Sequence, residues 1–201
     1  MDEQIDQIKD TYQAFETEAA KYKENAACAK GCAYCCTDAG SIDITTLEGL
    51  VILEKVRSLN RPRQVKVKKA LASDLKKREK GQKSFCPFLM KNKACMIYDI
   101  RPFSCRRIYS VHRCDAEHPP MLSRRVFEIA ENTIRELQAL DRTGYSGHLS
   151  YIIHMLNAPK FLSTYLAGEH KPQEVQAFGK THGIVINLNA VDSKNHKERE
   201  Q

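Results

Sequence analysis

The chain has 201 residues, 42% of them hydrophobic and 28% charged, with a formal net charge of +7. Such a composition belongs to a folded globular protein and excludes a disordered or membrane-embedded one, since no apolar run approaches a membrane span. The N-terminal MDEQIDQIKD lacks the basic and apolar regions of a secretory signal. The expected setting is therefore a reducing cytoplasm, where eight cysteines point to metal or redox chemistry rather than to structural disulfides.

In chain order, Ile5, Ile8, Tyr12, Phe15, Ala19, Tyr22 and Ala26 alternate in steps of three and four, which predicts a long amphipathic helix running into the first cysteines. In ITTLEGLVILEKVRSL, Thr45 caps a second helix while Glu48, three residues on, reaches back to it. Leu47, Leu50, Val51, Leu53 and Glu54 give it a mostly buried character, and it ends near Asn60. A basic helix follows from Arg63 to Lys80, with Val67, Leu71 and Leu75 inward and Gly81 as its stop. Residues 84–120 hold four prolines and the other four cysteines and predict irregular turns and short helices. Further helices are expected over Leu122–Leu140, Ser146–Asn157 and, opened by Pro159, through Leu166. After Lys171 the pattern fades, with a short strand in residues 183–188 and a frayed tail. The fold class is mainly α. A single helical domain, residues 1–170, surrounds an irregular cysteine-rich metal-binding centre, and residues 171–201 form a partly disordered C-terminal extension.

Between Glu54 and Lys93 the chain carries fourteen Lys or Arg and three Asp or Glu, a local +11, so the remainder carries −4. This stretch is a candidate surface for a protein or anionic partner. A solvated basic helix face is the favoured reading, and nucleic acid is disfavoured because no aromatics are interleaved for stacking.

The cysteines fall into two groups. CAKGCAYCC places Cys28, Cys32, Cys35 and Cys36 within nine residues. If helical, the four stand at i, i+4, i+7 and i+8 on one face; Gly31 makes a loop wrapped around a metal an equal alternative. Adjacent Cys35 and Cys36 point in different directions in most backbones, which argues against both binding one four-coordinate ion. The second group spreads Cys86, Cys95, Cys105 and Cys114 through turn-rich sequence. The C-x3-C-x2-C spacing with Tyr34 resembles the cluster loop of radical S-adenosylmethionine enzymes. That fold needs a series of strands and a glycine-rich segment, and the chain offers neither.

A second resemblance covers more. C-x3-C-x2-CC, then I-x-I-T-x-x-E from Ile42 to Glu48, then CPFL, then C-x-I-Y-x-x-R-P-x-x-C-R is similar to the CxxCxxCC, or YkgJ-like, cysteine-cluster family, over residues 28–107. Its members are described as candidate zinc or iron chelators. The resemblance implies metal ligands among Cys28, Cys32, Cys35, Cys36, Cys86, Cys95 and Cys105. It also draws attention to Tyr98, Arg101 and Arg106 as residues around the ligands, and Cys114 and His112 are auxiliary candidates outside the pattern. Single thiolates from separate loops narrowly favour an iron–sulfur cluster, [4Fe-4S], over zinc. The function expected is a metal-binding protein with a structural, redox or metal-handling role. The alternatives are a cluster-dependent methyl- or group-transfer enzyme, suggested by the family's likeness to flagellin lysine N-methylase, and a structural-zinc interaction module with a basic face.

Overall fold

The computed structural model describes residues 2–29, 31–38, 41–181 and 186–187. Nine α-helices dominate these residues, and none is long and apolar enough to cross a membrane. The mainly α class read from the sequence is the class found.

The N-terminal stripe forms α1 (Asp2–Lys23), which buries Ile8, Tyr12, Phe15 and Ala19. These side chains pack on α6 (Arg124–Leu140), whose Val126, Ile129, Ala130 and Leu137 are the matching apolar stripe. A second core centres on α7 (Leu149–Leu156), buried on almost every side because its sequence, LSYIIHML, is apolar all round. Around α7 pack α3 (Thr46–Ser58), α4 (Arg61–Glu79) and α8 (Pro159–Leu166). In α4 only Val67, Leu71 and Asp74 are buried, at i, i+4 and i+7, so its basic residues other than Arg78 face water. Gly81 ends that segment with φ +67°, a backbone region that glycine enters without a Cβ penalty.

The helices are joined by a small antiparallel sheet. β1 (Asp43–Thr45) pairs with β2 (Ser146–His148), aligning Ile44 with Gly147, and β2 pairs in turn with β3 (Ile186–Asn187). This corrects one expectation: Ser146–His148 is strand rather than the first turn of a helix, and it pairs with a strand, Asp43–Thr45, that leads into the Thr45 cap. Three-residue strands are too short to show a period of two, and here ladder pairing decides them. Beyond Lys171, where the pattern fades, the chain carries α9 (Pro172–Thr181), which the sequence pattern does not predict, and β3, which falls within the strand expected over 183–188. The remainder of the strand expected over 183–188, and the tail after it, lie outside the described residues.

The capping box is formed as read: Thr45 Oγ1 accepts from Glu48 N at 3.1 Å and Thr45 N donates to Glu48 Oε2 at 2.8 Å. Within α3, however, Ile52 and Val56 are core residues and Glu54 is exposed. The helix turns its carboxylate at 54 to solvent because α7 occupies the opposite side.

A polar knot lies between α4 and α7. Buried Asp74 accepts from Ser150 Oγ at 2.5 Å and from Arg78 Nε at 3.1 Å. His148 caps α7 by accepting from Ser150 N at 3.2 Å through Nδ1, which lies 3.6 Å from Asp74. Burial, and then the Arg78 charge, lower the His148 pKa to about 4, against the opposing pull of Asp74 and Asp43. The unfolded chain therefore takes up a proton between about pH 6.5 and about 4 that the native ring refuses, and stability falls with pH through that window. His148→Asn, which keeps a capping acceptor, is expected to lose less stability than the natural chain between those pH values, measured by urea unfolding.

Candidate metal centre

The first cysteine group divides between a loop and a short helix. α1 ends at Lys23, and the loop that follows is fastened by Ala27 N donating to Ser110 O at 2.8 Å. Gly31 turns it with φ +94°, so Cys28 and Cys32 lie in loop and are exposed. α2 (Tyr34–Thr37) then carries Cys35 and Cys36. The continuous helical face is not formed, because the left-handed glycine interrupts it between Cys28 and Cys32.

The nine-residue gap between Cys86 and Cys95 is closed by a hairpin-like turn. Met90 N donates to Ala94 O at 2.9 Å, Met96 N donates to Phe88 O at 2.9 Å, and Leu89 bridges to Cys95. Lys93, at φ +61°, makes its tip. The turn is joined to α2 by Cys86 N donating to Cys36 O at 2.7 Å. A 3-10 turn (Tyr98–Ile100) and Pro102 lead into α5 (Phe103–Arg106), which carries Cys105. Sulfurs far apart in sequence thus come from three separately aimed pieces of backbone.

All eight cysteines are free. The Cys36 thiol stands between those of Cys35 and Cys86 and shares hydrogen bonds with both. Cys105 is within electrostatic reach of Cys35, Cys36 and Cys95. Cys35, Cys36, Cys86, Cys95 and Cys105 therefore make one neighbourhood, and vicinal Cys35 and Cys36 both enter it. Cys28 neighbours Cys32, Cys114 and Cys35, which places Cys28, Cys32 and Cys114 at its rim. Cys114 Sγ donates to His112 O at 3.8 Å, while the His112 ring meets Pro119 O at 3.2 Å.

Crowding and burial raise the pKa of Cys35, Cys36, Cys95 and Cys105. The hydrogen bond to Cys36, and then burial, push Cys35 well above the ordinary thiol range. Cys36 is pushed up to about 12: its bond with Cys35 works downward, but the bond with Cys86, burial and the charges of Cys86 and Cys95 outweigh it. Burial is the first cause of the raised Cys95 and Cys105 values, with neighbouring sulfurs adding to it. A cation among the sulfurs reverses these effects by stabilising thiolates.

Arg101 supplies positive charge to Cys35, Cys95 and Cys105. Its guanidinium lies 4.2 Å over the exposed Tyr98 ring and 3.9 Å from Glu16 of α1, yet its Nε is covered and has no hydrogen-bond partner among the described residues. Arg106 Nε donates to Arg101 O at 2.9 Å, and its guanidinium stacks 4.5 Å over Tyr12, so it braces the loop. A small open cleft beside the thiols is lined by Cys35, Cys36, Cys86, Arg78, Ser84 and His148. The sequence gives no signal for His148 there, since the strand pairing that carries it to the cleft is long-range.

The donor set suits a thiophilic metal: five partly buried sulfurs, with the charge of Arg101 reaching three of them and its Nε lacking a hydrogen-bond partner among the described residues. Among the described residues no three His, Cys, Asp or Glu side chains are already closed into a set that could hold an ion. Ligand closure would accompany metal binding, as is usual where a site is completed by its metal.

Residues 27–137, more than half of the chain, match the CxxCxxCC family model, described as "putative zinc- or iron-chelating domain". No curated protein and no solved structure matches the chain.

The exposure pattern predicts an order of thiol reactivity. In metal-free protein, iodoacetamide is expected to label Cys28 and Cys32 roughly tenfold or more faster than Cys105, as read by peptide mass spectrometry.

Proposed function

Since this chain belongs to the CxxCxxCC family, whose description names zinc or iron, we propose that it binds an iron–sulfur centre through Cys35, Cys36, Cys86, Cys95 and Cys105, with Cys28 and Cys32 at the rim of the same site. Cys114 and His112 are auxiliary to it. The observation that carries the reading is the covered Nε of Arg101, without a hydrogen-bond partner among the described residues, on a guanidinium whose charge reaches thiols of α2, the hairpin-like turn and α5. A buried N–H without an acceptor is costly, on the order of 1–3 kcal/mol. Sulfur bound to iron offers the missing acceptor, and the guanidinium offsets the negative charge that ligation creates.

Zinc takes four thiolates, commonly from paired knuckles. Here five sulfurs come from three separate segments, two from α2, two from the hairpin-like turn and one from α5, without the paired C-x2-C knuckles of zinc, and dispersed thiolates of this kind suit an iron–sulfur site. When bound, such a centre supplies one-electron redox capacity, or else serves as a structural link among the three segments. The chain's own residues hold the thiolates, exclude water and set the surrounding charge. Arg101 donates toward the sulfurs, Tyr98 shields one face of its guanidinium, and Arg106 fixes the Arg101 carbonyl. The setting consistent with this chemistry is a reducing compartment such as the cytoplasm.

Anaerobic purification followed by metal and sulfide analysis tests the proposal. Iron with acid-labile sulfide and visible charge-transfer absorption supports it. Stoichiometric zinc in a colourless protein replaces the cluster with zinc, and neither metal defeats the reading. Cys86→Ser and Cys105→Ser are expected to lose most of the bound metal. Arg101→Gln is expected to weaken retention about 10- to 100-fold, measured by chelator competition, with the reduction potential moved to more negative values.

A further inference from the structure

Glu48 is only 4% exposed, and its two carboxylate oxygens do different work. Oε2 closes the capping box at Thr45 N. Oε1 is surplus to that cap. It accepts from the Tyr12 hydroxyl of α1 and, at 2.8 Å, from Phe103 N, the first amide of α5.

α5 has no side-chain cap of its own, because the residue before it is Pro102, which carries no side-chain acceptor. An acceptor 55 residues away in sequence takes that place. The same short turn is fastened by Ser104 Oγ donating to Asp43 O at 2.5 Å, and it carries Cys105. Only two residues, about half a helical turn, separate the Phe103 amide held by Glu48 from Cys105. Tyr12 links α1 to the arrangement, and α1 also supplies Glu16 beside Arg101 and Arg106.

We infer that Glu48 is a positioning residue for Cys105, holding the α5 turn so that its thiol meets those of α2 and the hairpin-like turn. The inference rests on the metal-centre reading above. It gives Glu48 a role at the site beyond helix capping, and it makes α1 a structural part of the site although α1 precedes the residues matched by the family model.

Three variants of the full-length chain separate positioning from capping. Thr45→Ala removes the capping hydroxyl and leaves the Oε1 bond to Phe103. Glu48→Gln cannot accept at both oxygens. Glu48→Asp keeps the charge and the Thr45 hydroxyl bond to the residue-48 amide but is one methylene too short to span to α5, and comparison with Thr45→Ala at matched melting temperature separates its effect from a general loss of fold. Each is stripped of metal, and iodoacetamide labelling of Cys105 is measured against Cys32. Each is then reconstituted with ferrous iron and sulfide or with zinc.

The two Glu48 variants are expected to speed Cys105 labelling about fivefold or more and to weaken metal retention about tenfold or more. Thr45→Ala is expected to lower the melting temperature while leaving the Cys105 rate unchanged. Equal behaviour of Thr45→Ala and Glu48→Asp at matched melting temperature, or an unchanged Cys105 rate in Glu48→Asp, overturns the inference alone. A natural chain that takes up neither iron nor zinc overturns the metal-centre reading and the inference with it.

Discussion

The hydrogen bond from the Cys86 amide to the Cys36 carbonyl, at 2.7 Å, joins the two cysteine-bearing parts of the chain. Fifty residues separate its ends, and between them run β1, α3 and α4. Bringing such distant segments together costs loop-closure entropy that one bond does not offset. The intervening helices meet that cost by burying Ile52, Leu53, Val56, Val67 and Leu71 against α7. The sulfur neighbourhood therefore depends on a core that contains no ligand itself.

Two kinds of rigidity meet at the site. The helical core is apolar and close-packed, and it fixes α3 and β1. From these, polar bonds reach outward: Glu48 to Phe103, Asp43 to Ser104, and Lys55 to Asp99 at 2.6 Å. The first is buried and well directed, so it has the strength of a charge-assisted bond in a low-dielectric setting. The Lys55 pair is exposed and contributes little. The cysteine-bearing segments themselves have little regular structure, which leaves their sulfurs room to adjust to a metal.

The electrostatics point the same way. Burial and neighbouring sulfurs raise the thiol pKa of Cys35, Cys95 and Cys105, and the opposing charge of Arg101 does not offset this. A divalent or cluster charge is of the right sign and size to do so. Arg101 Nε, without a hydrogen-bond partner among the described residues, would then gain an acceptor as the sulfurs gained a counter-charge. One binding event would settle both mismatches.

The sequence by itself determined the helices with strong periodicity: α1, α4, α6 and α8 lie where their apolar spacing, caps, prolines and glycines put them. It also determined the Thr45–Glu48 box and the density of cysteines, because those signals are local. It did not determine that Ser146–His148 is strand, that Glu54 is exposed, or that Cys35 and Cys36 share one neighbourhood with Cys86, Cys95 and Cys105. Nor did it show that Oε1 of Glu48 serves α5. Only the tertiary structure decided these, for one physical reason. Each depends on a partner between about forty and a hundred residues away, and no window of sequence registers which distant backbone will close a bond once the core has formed.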